Sequence, residues 1–389
     1  MKDLKKNIIR LLVSALLIVI FLQVFKFDPK SFIDKILQLD LRFFALASFF
    51  SVLTIVTNTY RWWIITKGFN YKISYWTGLL WYFEGMFANN FFPSNVGGDA
   101  LRAFYLGTLK HPADKQDSEN AEIEDSQQSS QGTVDNRTSS RLRRTNDRSV
   151  LPVHEDHEDD ENAEIEDSQQ SHKVAAKSKY YHDWLSAGLT VILERLFGFT
   201  MMFFFFPLSL IFIYSQNLAH TMPERLIQSL FILSIVPFFA FFGYKIWIKI
   251  PIPLAIFQKI KIAVSEFIVH KRSVWIVLLW TFITHVFLMA VNVFSALALG
   301  VTQIPFWYWF LVVPLATLAS YVIPAVKGLG AREATYVFLL SIIGVSFDHS
   351  FAIAVTVFLA TLVSSVPGIS LVRKGKEIFS IFKDPLKNA

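Results

Sequence analysis

The 389-residue chain contains no cysteine, which excludes disulfide cross-links and thiolate metal centres alike. Charge is scarce too: Asp, Glu, Lys and Arg make up 17% of the residues, against 53% that are hydrophobic. Acidic residues are scarcer still once position is considered. Positions 110–179 hold 17 Asp/Glu and 10 Lys/Arg, leaving 14 acidic and 27 basic residues for all the rest. The only sizeable polar segment, 111–178, has neither the periodicity of a core nor a phosphate-binding loop. The residues therefore offer no soluble catalytic domain, nucleophile–base arrangement, metal-ligand set or cofactor motif, and an enzyme is not the first expectation.

What is abundant is apolar surface. A mean hydropathy of +0.41, 39 Phe and 16% aromatic residues place the chain among all-α, polytopic helical membrane proteins. Outside the acidic segment the charge is strongly positive, which suits anchoring beside anionic phospholipid head groups rather than nucleic acid.

Four parts follow from composition: 1–110, a first membrane part; 111–178, a disordered acidic insertion; 179–372, a second membrane part; and 373–389, a basic cytoplasmic tail. The apolar run 11–25 follows Lys2, Lys5, Lys6 and Arg10 without a small-residue cleavage site, and reads as an uncleaved anchor with a cytoplasmic N-terminus. A short amphipathic helix is expected at 31–39 and a second span at 43–60, with Arg61, Lys67 and Lys72 as its cytoplasmic flank. The insertion carries ENAEIEDSQQS twice, at 119–129 and 161–171, around a basic cluster (Arg141, Arg143, Arg144, Arg148). Its composition cannot bury enough apolar surface to fold alone, and a docking site for a protein partner is its functional alternative. Further spans are expected at 184–214, 225–249, 273–299 and 351–371, with an interfacial helix at 252–270.

Two interruptions organise this pattern. PSNVGGDALR at 93–102 ends the apolar stretch 75–92, and PAVKGLGARE at 324–333 ends 306–322. Each sets a proline before two glycines and a basic–acidic pair, and broken backbone at membrane depth requires protein or a water-filled cavity around it. Paired breaks in the two halves point to a transporter binding site formed by inverted repeats. The expected architecture has six full spans and two re-entrant hairpins from opposite faces; hydropathy leaves open eight full spans. Glu194 and Arg195 are adjacent charges inside another apolar segment, which also marks function or a fixed bundle contact. Glu84 and His285 are expected to serve packing.

The ordered set Asn89–Asn90, Pro93, Gly97–Gly98–Asp99, Arg102, Glu194–Arg195, Pro324 and GLGARE resembles the transmembrane region of the lysyl-phosphatidylglycerol synthase/flippase family, from about 41 to 371 without the insertion. Gly198 and Lys327 depart from the family pattern, the first where many members are acidic and the second where glycine is common. The resemblance implies handling or translocation of phospholipids with phosphate or aminoacyl-phosphate head groups, in a bacterial inner membrane. An aminoacyl-phospholipid synthase or glycosyltransferase, and an adaptor working through 111–178, are the alternatives. The residues expected to meet the lipid are Asn90, Pro93, Gly97, Gly98, Asp99, Arg102, Glu194, Arg195, Lys327, Gly328, Gly330, Arg332 and Glu333. The arginines would offer planar donors to phosphate, and the glycine amides at new helix N-termini would add to them.

Overall fold

An apolar segment in hydrocarbon must satisfy its own backbone groups, so long apolar runs become helices. The computed structural model describes residues 29–90, 97–109, 158–247, 267, 271–322 and 330–372, and every regular element among them is helical. The expected anchor at 11–25, most of the insertion, nearly all of 252–270 and the basic tail lie outside the described residues.

In chain order the helices are α1 (Pro29–Leu37), α2 (Leu41–Gly68), α3 (Tyr75–Asn89), α4 (Gly97–Gly107), α5 (Glu158–Ser215), α6 (Glu224–Trp247), α7 (Lys271–Ala298), α8 (Trp309–Val322), α9 (Ala331–Ile342) and α10 (Phe347–Ser364). Among the described residues, four segments are long and apolar enough to cross a membrane: α2, Leu185–Ser215 of α5, α7 and α10. Exposed apolar side chains such as Phe49, Leu208, Ile232 and Leu279 give the bundle the outer surface that lipid requires.

Capping explains several boundaries. Asp40 accepts from the Arg42 amide at 2.8 Å to start α2, and its own amide donates to the Ala298 carbonyl at 2.8 Å. Ser74 starts α3 by accepting from the Thr77 amide at 3.1 Å. The helix α1 matches the expected amphipathic segment: Phe32 lies against Phe351 with centroids 5.4 Å apart, while Ile33 and Leu37 face outward. The helix α5 begins far upstream of its apolar part and takes in the second copy of the duplicated segment. Between Val153 and Ala187 there is no Gly or Pro, and Glu, Gln, Ala and Lys favour helix, so the backbone continues where a disordered insertion was expected.

The helices α2 and α7 form the central antiparallel pair. Asp40 meets Ala298 at one end, Phe50 stacks on Phe294 at 5.3 Å, and Tyr60 meets Trp280 at 4.6 Å toward the other. The α2 C-terminus thus defines a lower end and its N-terminus an upper end. The membrane part of α5 also runs antiparallel to α2, since Trp62 Nε1 donates to Thr190 Oγ1 at 3.2 Å near the lower end.

Against this frame the two breaks become two hairpins of opposite direction. Tyr75, at the start of α3, meets Tyr60 and Trp63 at the lower end. Trp307, just before α8, stacks on Phe212 at the upper end of α5. The four arms have 15, 11, 14 and 12 residues. At about 1.5 Å per residue they reach roughly 16–23 Å, short of the ~30 Å hydrocarbon core. Each arm packs on its own partner. The last span differs from the uninterrupted 351–371 expected: α10 ends at Ser364, and a 3-10 turn, Val366–Ile369, follows. Pro367 cannot donate to the preceding turn, and Gly368 lies so close to the Phe83 carbonyl that no side chain would fit there.

Candidate functional site

The first break is held by glycine packing. A Cβ on Gly98 would collide with the carbonyl oxygen of Gly85, so α3 and α4 touch backbone to backbone. The Gly98 amide donates to Asn89 Oδ1 at 2.7 Å, which closes the turn between the arms. Asn90 Nδ2 donates to Ser365 Oγ at 2.9 Å and ties the end of α3 to the end of α10. Gly97 is the first residue of α4. Pro93 lies outside the described residues.

One turn into α4 begins a charge network. Arg102, 2% exposed, donates to Asp99 Oδ1 at 2.6 Å and to Glu194 Oε2 at 2.7 Å. Glu194, fully buried, also accepts from Arg61 Nη2 at 2.9 Å and from the Tyr82 hydroxyl at 2.8 Å. Arg195 grips Asp99 with two nitrogens, at 2.6 and 2.8 Å, and reaches the Tyr321 hydroxyl at 3.1 Å. The Arg102 guanidinium also sits over the Tyr82 ring, 4.1 Å from its centroid. Three arginines and two carboxylates therefore leave one net positive charge in the lower half of the bundle. Arg195 is the element that touches both hairpins, α4 through Asp99 and α8 through Tyr321.

The second break is capped differently. Gly330 sits at φ 92°, a left-handed conformation that favours glycine, and its amide donates to Glu333 Oε2 at 2.7 Å. Glu333 Oε1 accepts from Arg332 at 2.6 Å, and the Arg332 guanidinium lies over Phe358 at 5.7 Å. This pair does not bond to the first network. Lys327 and Gly328 lie outside the described residues.

What joins the two regions is a cavity of about 280 Å³. Its wall carries Arg61 and Asn58 from α2, Tyr82 and Asn89 from α3, Arg195 and Gly198 from α5, His285 and Asn292 from α7, Tyr321 from α8, and Arg332 and Tyr336 from α9. Apolar side chains, among them Met86, Phe199, Leu288 and Val357, complete it. Within the wall Tyr336 donates to Asn292 Oδ1, and His285 Nδ1 donates to the Thr281 carbonyl at 2.8 Å. Glu84 is away from this cavity, accepting from Ser370 Oγ at 2.9 Å.

Sequence reasoning missed three participants. Arg61 was expected among flanking cations, yet it is 4% exposed inside the bundle. The signal was present: Trp62–Thr66 continues apolar, so Arg61 stands inside α2 and not after it. Tyr82 and Tyr321 carry no comparable mark in a chain this rich in aromatics.

In a comparison with known families the chain matches the sequence profile described as the lysylphosphatidylglycerol synthase TM region, over residues 7–117 and 177–368. The gap between the matched stretches coincides with the polar insertion. Comparison with curated proteins and with solved structures returns no significant match.

Proposed function

Since the chain belongs to the lysylphosphatidylglycerol synthase transmembrane-region family, we propose that it is a lipid translocator, holding a phosphate-bearing head group between its two hairpins and passing it across the bilayer. The carrying observation is the cavity that both hairpins help to line, with guanidinium groups of Arg61, Arg195 and Arg332 in its wall. A guanidinium matches phosphate geometry with paired donors and stays charged when buried. The volume lies just under the roughly 300–1,000 Å³ of drug-sized sites, room for a head group while acyl chains stay in lipid.

Of the thirteen residues expected from sequence, Arg195 and Arg332 are the direct contacts in this reading. Asp99, Arg102 and Glu194 set the charge and orientation of the arginines. Gly97, Gly98, Gly330, Glu333 and Asn90 shape the breaks, their amides and side chains being engaged as described. Pro93, Lys327 and Gly328 belong to the two hairpin tips by sequence. Of the described cations, Lys67, Lys72, Lys271 and Arg272 flank the lower end, and Lys30, Lys35, Arg42 and Arg225 the upper one. The sequence adds Lys249, Lys259 and Lys261 in the stretch joining α6 to α7, and with these the positive-inside rule supports a cytoplasmic lower end. An inner bacterial membrane is the proposed home.

The test is reconstitution with fluorescent phosphatidylglycerol and its lysyl derivative, comparing the wild type with Arg195→Ala and Arg332→Ala. The expected result is inward or outward movement of at least one lipid by the wild type and loss in both variants at unchanged thermal stability. Equal movement by all three proteins would sink the site assignment.

A further inference from the structure

The sign of the cavity wall carries more than the presence of cations. Its charged groups are Arg61, Arg195 and Arg332, its other titratable groups are His285, Tyr82, Tyr321 and Tyr336, and no carboxylate is among the described residues that line it. Asp99 and Glu194 offset part of this charge, but every oxygen of the two already accepts from arginine, so neither leaves a free acceptor for a ligand's ammonium group. Glu333 is likewise spent on Arg332 and the Gly330 amide.

One donor is also left over. Arg61 Nε is buried without a hydrogen-bond partner among the described residues, while its Nη2 holds Glu194. A buried unpaired donor is costly, and because Arg61 lines the cavity, a small shift of its side chain would let an acceptor there relieve it. Space beside Arg61 is kept by Gly198, where an added Cβ would lie 3.7 and 3.9 Å from the two terminal nitrogens.

We propose that this cavity selects phosphate head groups of net negative charge and rejects those that also carry an ammonium group. An ammonium held here would face cations with no carboxylate to pair with, which is the repulsive half of specificity. The inference rests on the lipid-translocation reading for its substrate and narrows it.

Two measurements separate the claims. In proteoliposomes, the full chain is expected to move fluorescent phosphatidylglycerol at least about tenfold faster than the lysyl ester, given the strength of like-charge repulsion at short range. In detergent, dihexanoyl phosphatidylglycerol is expected to raise the melting temperature, while dihexanoyl lysyl-phosphatidylglycerol and inorganic phosphate are not. Gly198→Asp sets a carboxylate against Arg61 and should erase or reverse the preference. Gly198→Asn, similar in size without charge, should keep it whatever its effect on rate. If Gly198→Asp does not fold, Asn58→Asp makes the same test from α2.

Equal transport of both lipids by the wild type would overturn the selectivity and leave translocation standing. Selective stabilisation without transport of either lipid would uphold the selectivity and remove translocation. Equal stabilisation by inorganic phosphate would make this a site for soluble anions and overturn the lipid assignment. Neither transport nor stabilisation would overturn both.

Discussion

Glu194 accepts hydrogen bonds from three different helices, through Arg61, Tyr82 and Arg102. Replacing it by Gln removes the charge but keeps the shape, leaving two buried guanidinium groups to share what remains. Loss of one partner of a buried ion pair typically costs about 3–5 kcal/mol. Glu194→Gln is therefore expected to lower the melting temperature in detergent sharply. Tyr82→Phe deletes one bond to the same carboxylate and should cost about 1.5–3 kcal/mol. An unchanged melting temperature in Glu194→Gln would mean that the charge contributes nothing to stability. At this scale the sequence was partly legible. Adjacent Glu and Arg inside an apolar run announce themselves because hydrocarbon makes charge expensive. Arg61 did not, since a cation after eighteen apolar or small residues looks like a flank until the helix is known to continue.

At the scale of elements, the hairpins communicate through Arg195, which bonds Asp99 on α4 and Tyr321 on α8. Tyr321→Phe removes the hydroxyl from a side chain that is 37% exposed and should barely change stability. It is expected to slow lipid movement several-fold if the two hairpins move in concert, and an unchanged rate would show that this bond is incidental. The junction of α2 with α10 is close enough to trap: Ser51 and Ser364 place their hydroxyl oxygens 2.8 Å apart. In a chain without native cysteine, Ser51→Cys with Ser364→Cys should form a disulfide under mild oxidation, seen as altered gel mobility that reductant reverses. The breaks themselves were readable because Pro and Gly punctuate helices whatever surrounds them. What holds each break was not. The contact of Gly98 with Gly85, like that of Gly368 with Phe83, joins segments whose approach no local pattern encodes.

Across the whole molecule, opposite insertion of two half-length hairpins builds a polar interior while long helices meet the lipid. This arrangement predicts sidedness. Single cysteines at Lys67 or Lys271 should react with a membrane-impermeant maleimide from the cytoplasmic side, and one at Asp34 from the opposite side. Labelling at positions 67 and 271 from opposite sides would contradict the antiparallel placement of α2 and α7, and labelling of all three from one side would contradict a crossing by α2. The fold class and the pairing of the breaks were visible in composition and punctuation. The charge balance of the interior needed the coordinates, because it depends on which carboxylates are already engaged.

The meeting of Gly85 and Gly98 also bears on how this protein can vary. The smallest increment available to mutation is a methyl group, and at Gly98 that increment already collides with backbone. Backbone yields far less readily than a side chain, so no gradual path leads away from glycine at this position. In a library of all single substitutions selected for folded protein at the membrane, Gly98 should retain no alternative residue. Gly188, which has nothing within 4 Å of such a methyl, should accept many.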